Sequence, residues 1–324
     1  MRVLDRKLIR DMVRLWPQAL AVALVMACGV ATLILAVGAY RSLEETRNAY
    51  YERYRFGDVF TTAVRAPNAL IEPIAAIDGV AAIEARIVKP VLLDIEGMRE
   101  PATGQAVSLP ANGDPAVNGL FLRVGRMPEP ARANEAAVNA NFADAHGFAV
   151  GSQFDAIVSG SRITVTIVGI VLSPEYVYAL GPGDLMPDDR RFGIVWMPES
   201  VLASLFDLDG AFNSLSLRLL PRTNADAVIE RVDALLEPYG GTGAYARKDQ
   251  LSNAFLDTEL SGLDGMARVI PPIFLAVSAF LINMILARLI ALEREQIGLL
   301  KALGYTRVAV VWHYLKLEIG RAHV

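Results

Sequence analysis

The side chains in this chain that could run a reaction are few. They are three histidines (His146, His313 and His323), one cysteine (Cys28), and an acidic cluster, Asp184 with Asp188-Asp189 beside Arg190-Arg191. No His-Glu-x-x-His occurs and no His/Cys pair has metal-ligand spacing, so no metal site is expected. No Gly-x-x-x-x-Gly-Lys-Ser/Thr cradle occurs either, so a nucleotide is not held here in the Walker manner. His146 precedes Gly147 and reads as a helix-end histidine rather than a general base. The acidic cluster sits in the turn-rich loop Gly181–Arg191, where paired charges stay solvated. The phrase Ser173-Pro-Glu-Tyr-Val-Tyr178 offers aromatic surface, either for a lipid, peptide or partner or for loop packing. No catalytic residue is assigned, and the chain is expected not to be an enzyme.

A recognition signal lies near the other end, in Arg288-Leu-Ile-Ala-Leu-Glu-Arg-Glu-Gln-Ile-Gly-Leu-Leu-Lys-Ala-Leu-Gly-Tyr-Thr-Arg307. Glu293-Arg-Glu295 marks where an apolar run meets water. Ile297, Leu300 and Lys301 then share one helical face, and Gly304 is placed to cap the helix C-terminus. Such a segment contacts a partner protein or lies on lipid, and physics alone leaves both open.

The elements that position this segment are two apolar runs. Hydrophobic residues make up 53% of the chain against 20% charged. From Ala19 to Tyr40 no charge interrupts about 22 residues, enough at about 1.5 Å each to cross a hydrocarbon core of roughly 30 Å. A second run begins at Val269, broken only by Ser278 and Asn283 up to Ala287. Asn283 is polar at depth and is expected to face another helix. Pro271-Pro272 fit a helix start or kink. Cys28 lies mid-run, where a lipoprotein signal would turn polar, so it reads as a small thiol buried in a membrane helix. As the one cysteine it forms no intrachain disulfide. The first run is too long for the h-region of a cleaved signal peptide.

Arg2, Arg6, Lys7, Arg10 and Arg14 precede the first run; Arg288, Arg294, Lys301 and Arg307 follow the second. The positive-inside rule puts both ends in the cytoplasm and the segment between them outside. That segment, Arg41 to Asp264, carries 19 Lys+Arg against 30 Asp+Glu and no basic stripe, which argues against nucleic acid as a ligand. The layout is then a basic cytoplasmic N-terminus (1–18), a first transmembrane helix (19–40), an extracytoplasmic domain (41–268), a second transmembrane helix (269–290) and a cytoplasmic segment (291–307). Residues 308–318 begin a third span.

Within the external segment, Ser42–Tyr54 reads as a helix continuing from the first span. Asp58–Val64 alternates as a strand, Ala69–Ile77 is a short helix, and Val80–Ile95 offers two strands. Ser214–Leu220 (strand), Asn224–Leu236 (helix) and Thr242–Ala246 (strand) form a matching unit. Together they suggest one α/β subdomain built from both ends of the segment. Between them, at about 100–198, runs rich in Pro and Gly alternate with short β-type stretches at 121–124, 135–139, 152–158, 162–168 and 193–197, with a helix at Phe142–His146. Gly147–Ser152 makes a turn from which a barrel-like sheet can begin. The expected class is an α-helical membrane protein with a large extracytoplasmic α+β domain, an α/β subdomain plus an inserted mainly β subdomain.

Glu295-Gln-Ile-Gly-Leu-Leu-Lys-Ala-Leu-Gly304 closely resembles the E-I-G-x-L-[RK]-A-[LIx]-G signature of FtsX-like ABC transporter permeases, the group with the MacB and LolC types. Arg55–Phe60, Gly125-Arg-Met-Pro128, Asn134–Val138 and Ile167–Ile170 look like that family's external domain, so the resemblance covers nearly the whole chain. It implies a permease subunit that uses ATP hydrolysis in a separate cytoplasmic ATPase subunit to move its external domain. Substrate would thereby be exported or extracted. Carried over by position, Glu295, Ile297, Gly298, Leu300, Lys301 and Gly304 would be the ATPase-coupling contact. ATP and Mg would be bound by the partner, leaving no cofactor in this chain. A homodimer or pseudo-dimer in the bacterial inner membrane, contact with membrane lipid and a periplasmic adaptor are the further partners implied. Two alternatives stay open: a signalling permease that activates a periplasmic cell-wall hydrolase, and a two-span membrane anchor or sensor. Family members have further spans after this segment. Here the final hexapeptide, Ile319-Gly-Arg-Ala-His-Val324, matches one reading frame of a common sequencing-adapter oligonucleotide, so a gene truncated at about Glu318 is expected.

Overall fold

Ile87 is where the chain changes sheets. Strand β2 (Val80–Arg86) ends one residue before it and β3 (Val88–Asp94) starts one residue after it, in a different sheet. The computed structural model describes residues 3–292, 294–304, 306, 308 and 312. Residues 45–259 form one compact unit and the flanking residues another.

In the central unit, β1 (Val59–Pro67), β10 (Ala211–Leu219), β2 and the two-residue β11 (Tyr245–Ala246) form a four-stranded antiparallel sheet in the order β11-β1-β10-β2. Its strands come from both ends of the segment. One face carries Val59, Ala63, Leu215 and Leu217. This face packs with Ile74 of the short helix α2 (Ile71–Ala75) and with Val228, Val232 and Leu236 of α5 (Ala225–Leu236). The spacing of those three α5 residues is that of a single apolar stripe, and Asn224 caps the helix by accepting a hydrogen bond from the Asp226 N–H at 3.1 Å.

The β-rich insertion opens at Val88, ahead of the position near Glu100 that composition suggested. It comprises β3, β4 (Ala102–Leu109), β5 (Phe121–Gly125), β6 (Glu135–Asn139), β7 (Gln153–Val158), β8 (Ser161–Leu172) and β9 (Phe192–Pro198). The order β5-β8-β6-β9-β4-β3-β7, with a further β7–β8 pairing, closes six of these strands into a barrel and leaves β5 on the outside of β8. β4–β9 and β6–β8 are parallel pairs. Inward residues such as Leu93, Val165, Ile167, Val195 and Met197 fill the interior. α3 (Ala140–His146) and α4 (Glu199–Phe206) add Phe142 and Leu202 to that core.

The flanking unit holds most of two long helices, α1 (Val3–Arg53) and α6 (Leu251–Leu292), and the short α7 (Arg294–Ala302). The apolar stretches Ala23–Arg53 and Leu251–Met284 are long and apolar enough to cross a membrane. Large side chains on them, among them Ile34, Leu35 and Phe280, are about two-thirds exposed. Outside water such exposure carries no hydrophobic cost. Both helices run well beyond the expected spans at 19–40 and 269–290. Pro271 and Pro272 lie inside α6, so they mark no helix start. Among the described residues Cys28 is exposed on α1 and Asn283 is exposed on α6. At Gly29 a Cβ would come within 2.8 Å of Phe274 Cβ, so that glycine allows α1 and α6 to approach closely within this unit. The expected third span (308–318) and the terminal hexapeptide (319–324) lie outside the described residues, Val308 and Trp312 excepted.

Candidate functional site

Helix α7 carries the segment with partner-type residues. Glu295 in its first turn and Lys301 in its last complement the helix dipole. Gly304 has φ +90°, a left-handed conformation that favours glycine, and its N–H donates to the Lys301 carbonyl at 3.1 Å. The predicted C-cap is therefore where the helix stops. Glu295, Gly298 and Lys301 are exposed and Ile297 is half-buried. Leu300 is helical, and its side chain lies outside the described residues. Leu299 and Leu303 are also exposed, at 63% and 69%, and were not singled out from the motif. Gly298 costs a helix interior about 1 kcal/mol relative to alanine. Yet a Cβ there would have open space around it, so nothing within the described chain calls for glycine at that position.

The phrase Ser173–Tyr178 belongs to a strap that runs from the end of β8 to Leu180, and its charges are spent internally. Glu175 receives two hydrogen bonds from the Arg86 guanidinium at 2.6 and 2.9 Å and a third from Asn118 Nδ2 at 2.7 Å. Arg86 also donates to Ser216 Oγ at 2.9 Å. Both charged residues are buried. Burial opposes the charge on Arg86, but the Glu175 carboxylate facing it holds the guanidinium above its ordinary range. The strap thus joins the barrel to the four-stranded sheet, on the face away from α2 and α5.

The same strap grips the first turns of α6. Gln250 Nε2 donates to the Glu175 carbonyl at 2.9 Å, and the Tyr178 N–H donates to Ser252 Oγ at 2.9 Å. The Tyr178 hydroxyl donates to Glu259 Oε2 at 2.5 Å, and its ring packs on Phe255 with centroids 4.8 Å apart. The hydrogen bond to Glu259, aided by burial, pushes the Tyr178 phenol up to about 12. Asn253 donates to Asp257, which pairs with Arg47 at the end of α1.

His146 and the acidic loop are held by contacts within the chain, and His313 and His323 lie outside the described residues. His146 Nε2 lies 2.9 Å from the Arg190 carbonyl, and its ring packs against Phe142 and Phe148. Asp188 accepts from the backbone N–H groups of Arg190 and Arg191, so the acidic loop caps itself. Among the described residues no group of three or more His, Cys, Asp or Glu side chains is arranged to hold a metal ion.

No family model and no curated protein matches the sequence. Solved structures give low-identity likenesses. The periplasmic region of MacB from Actinobacillus actinomycetemcomitans is 9% identical, with a TM-score of 0.39, over 64% of this chain and 94% of that one. The extracellular domain of the ABC-type transporter YknZ from Gram-positive bacteria is 12% identical, with a TM-score of 0.38, over 59% of this chain and 98% of that one.

Proposed function

We propose that this chain is the permease subunit of an ABC transporter, with residues 45–259 outside the cytoplasmic membrane and α7 docked on a separate cytoplasmic ATPase subunit. The observation that carries the reading is the Glu295–Gly304 motif. It is set on a capped helix with Glu295, Gly298 and Lys301 exposed, directly after a stretch long and apolar enough to span. A glycine without an internal reason fits a surface that another chain approaches closely. The basic residues flanking the two apolar runs favour the same orientation. The chain itself supplies no catalytic group. ATP and Mg belong to the partner, and the work done here is mechanical, passing from α7 through α6 to the external domain. Residues Glu295, Ile297, Gly298, Leu300, Lys301 and Gly304 form the contact.

The test is ATPase activity of the complex formed with a co-expressed ATPase subunit. Gly298→Trp and Lys301→Glu are each expected to lower complex formation about tenfold, the effect of losing one interface anchor. Unchanged assembly and turnover in both variants would remove the coupling reading.

A further inference from the structure

A cavity of about 570 Å³ opens between the polar face of the four-stranded sheet, the strap and the barrel, wholly within residues 45–259. Its walls are aromatic. Phe60 and Tyr245 stack with centroids 5.8 Å apart and planes 21° from parallel, and Tyr176, Tyr178 and Phe192 line the space with them. That size suits a small molecule, which would meet the half-buried Tyr176 and Tyr178 and the more exposed Tyr245, while Phe60 and Phe192 are almost fully buried behind them.

The charges on the walls restrict what can enter. The charged lining residues are Glu175 and Asp184. Glu175 is already held by Arg86 and Asn118, and Asp184 is exposed at the rim. No lysine or arginine lines the space, so an anionic ligand would lose its hydration without gaining a cation. Burial raises the phenols of Tyr176 and Tyr245, which therefore stay neutral hydrogen-bonding groups. Gln105 and Ser214 add neutral polar atoms to the lining.

We propose that this cavity binds an aromatic small molecule that carries no negative charge, held between Tyr245 and the strap tyrosines. Gln250, Leu251 and Ser252 also line it, so an occupant touches the start of α6 and the strap that grips it. Binding then stiffens the joint between the barrel and α6. The site is independent of the permease reading, because it needs no ATPase.

The experiment uses the full chain in lipid nanodiscs, photolabelled with benzophenone, an uncharged two-ring probe, and mapped by peptide mass spectrometry. Adducts are expected on the strap and on the walls around Phe60 and Tyr245. Tyr245→Ala, at a ring that is 39% exposed, is expected to cut cavity labelling about threefold to tenfold, the value of one aromatic contact. Ser214→Trp, which fills the space, is expected to do the same. Should Ser214→Trp fail to fold, Tyr245→Ala decides. Benzophenone-4-carboxylate is expected to label the cavity several-fold less. Adducts confined to the apolar stretches of α1 and α6, or cavity labelling unchanged in folded Tyr245→Ala, would overturn the proposal. Equal labelling by the carboxylate would overturn the exclusion of anionic ligands.

Discussion

The strap Ser173–Leu180 and helix α7 are both short segments that mix charge with apolar residues, yet the structure treats them in opposite ways. The strap turns its charge inward: Glu175 is buried on Arg86, Asn118 and Ser216 cluster around the pair, and Tyr178 reaches Glu259. Helix α7 turns Glu295, Gly298, Leu299 and Lys301 outward. The difference separates residues that hold this chain together from residues available to another one. It also shows why an aromatic, acidic phrase is a poor guide to binding: burial decides the role, and burial is not written locally in the sequence.

Mutation sharpens the contrast. The largest effect is expected at the strap. Glu175→Ala leaves Arg86 charged and buried without its carboxylate, which costs about 3–5 kcal/mol. Urea unfolding of the full chain followed by the fluorescence of buried Trp196 reads this out. The double change Arg86→Met with Glu175→Leu should recover most of that loss, since an apolar pair leaves no uncompensated charge. If the single change costs under about 1 kcal/mol, the strap is not the clasp described here.

At α7 the expectation is reversed. Lys301→Glu should leave the unfolding midpoint of the external domain in place, because an exposed substitution of this kind stays within about 0.5 kcal/mol, while it weakens the proposed ATPase contact. A shift as large as that of Glu175→Ala would mean that α7 is structural. Gly304→Val forces a β-branched residue to φ +90° and should fray the end of α7 at a cost of about 1–2 kcal/mol, visible as faster amide exchange at Leu303 and Gly304.

Smaller and opposite pH signatures are expected from two other buried carboxylates. Burial raises Glu84, against the help of the Ala116 N–H that it accepts. In the unfolded chain it ionises first as pH rises, so its contribution to stability falls as pH climbs from the ordinary value of 4.5 through the raised folded value. Glu84→Gln should therefore gain on the parent across that window. Glu135 is lowered by its hydrogen bonds from Arg126, against the effect of burial. Its contribution is present above 4.5 and is lost as pH falls through the lowered folded value, so the deficit of Glu135→Gln should shrink in acid. Melting temperatures taken across that range give both signs, and parallel curves for the two variants would contradict them.

Much of the fold was legible because its signals are local. The alternation of Arg162–Val168 announces β8, and the spacing of Val228, Val232 and Leu236 announces α5. Strand β4, Ala-Thr-Gly-Gln-Ala-Val-Ser-Leu, was not legible. Few of its residues favour strands, and it is extended because β3 and β9 pair with it on both sides. Helix α4 escaped notice for a related reason: it has only eight residues, follows Pro198, and is held by Leu202 in the barrel core. Val80–Ile95 reads as two strands, but nothing local in it shows that they join different sheets at Ile87. The Arg86–Glu175 pair joins residues 89 apart, with no local signal at either end. The proposed α7 contact rests on its motif, and of that motif the structure describes the cap at Gly304.

The most direct measurement places a photo-crosslinking amino acid at Lys301 in living cells, with mass spectrometry identifying what is captured. An adduct with an ABC ATPase subunit, lost when Gly298→Trp is added, is the result this account predicts. Adducts with lipid alone would contradict it and leave α7 as a helix lying on the membrane surface.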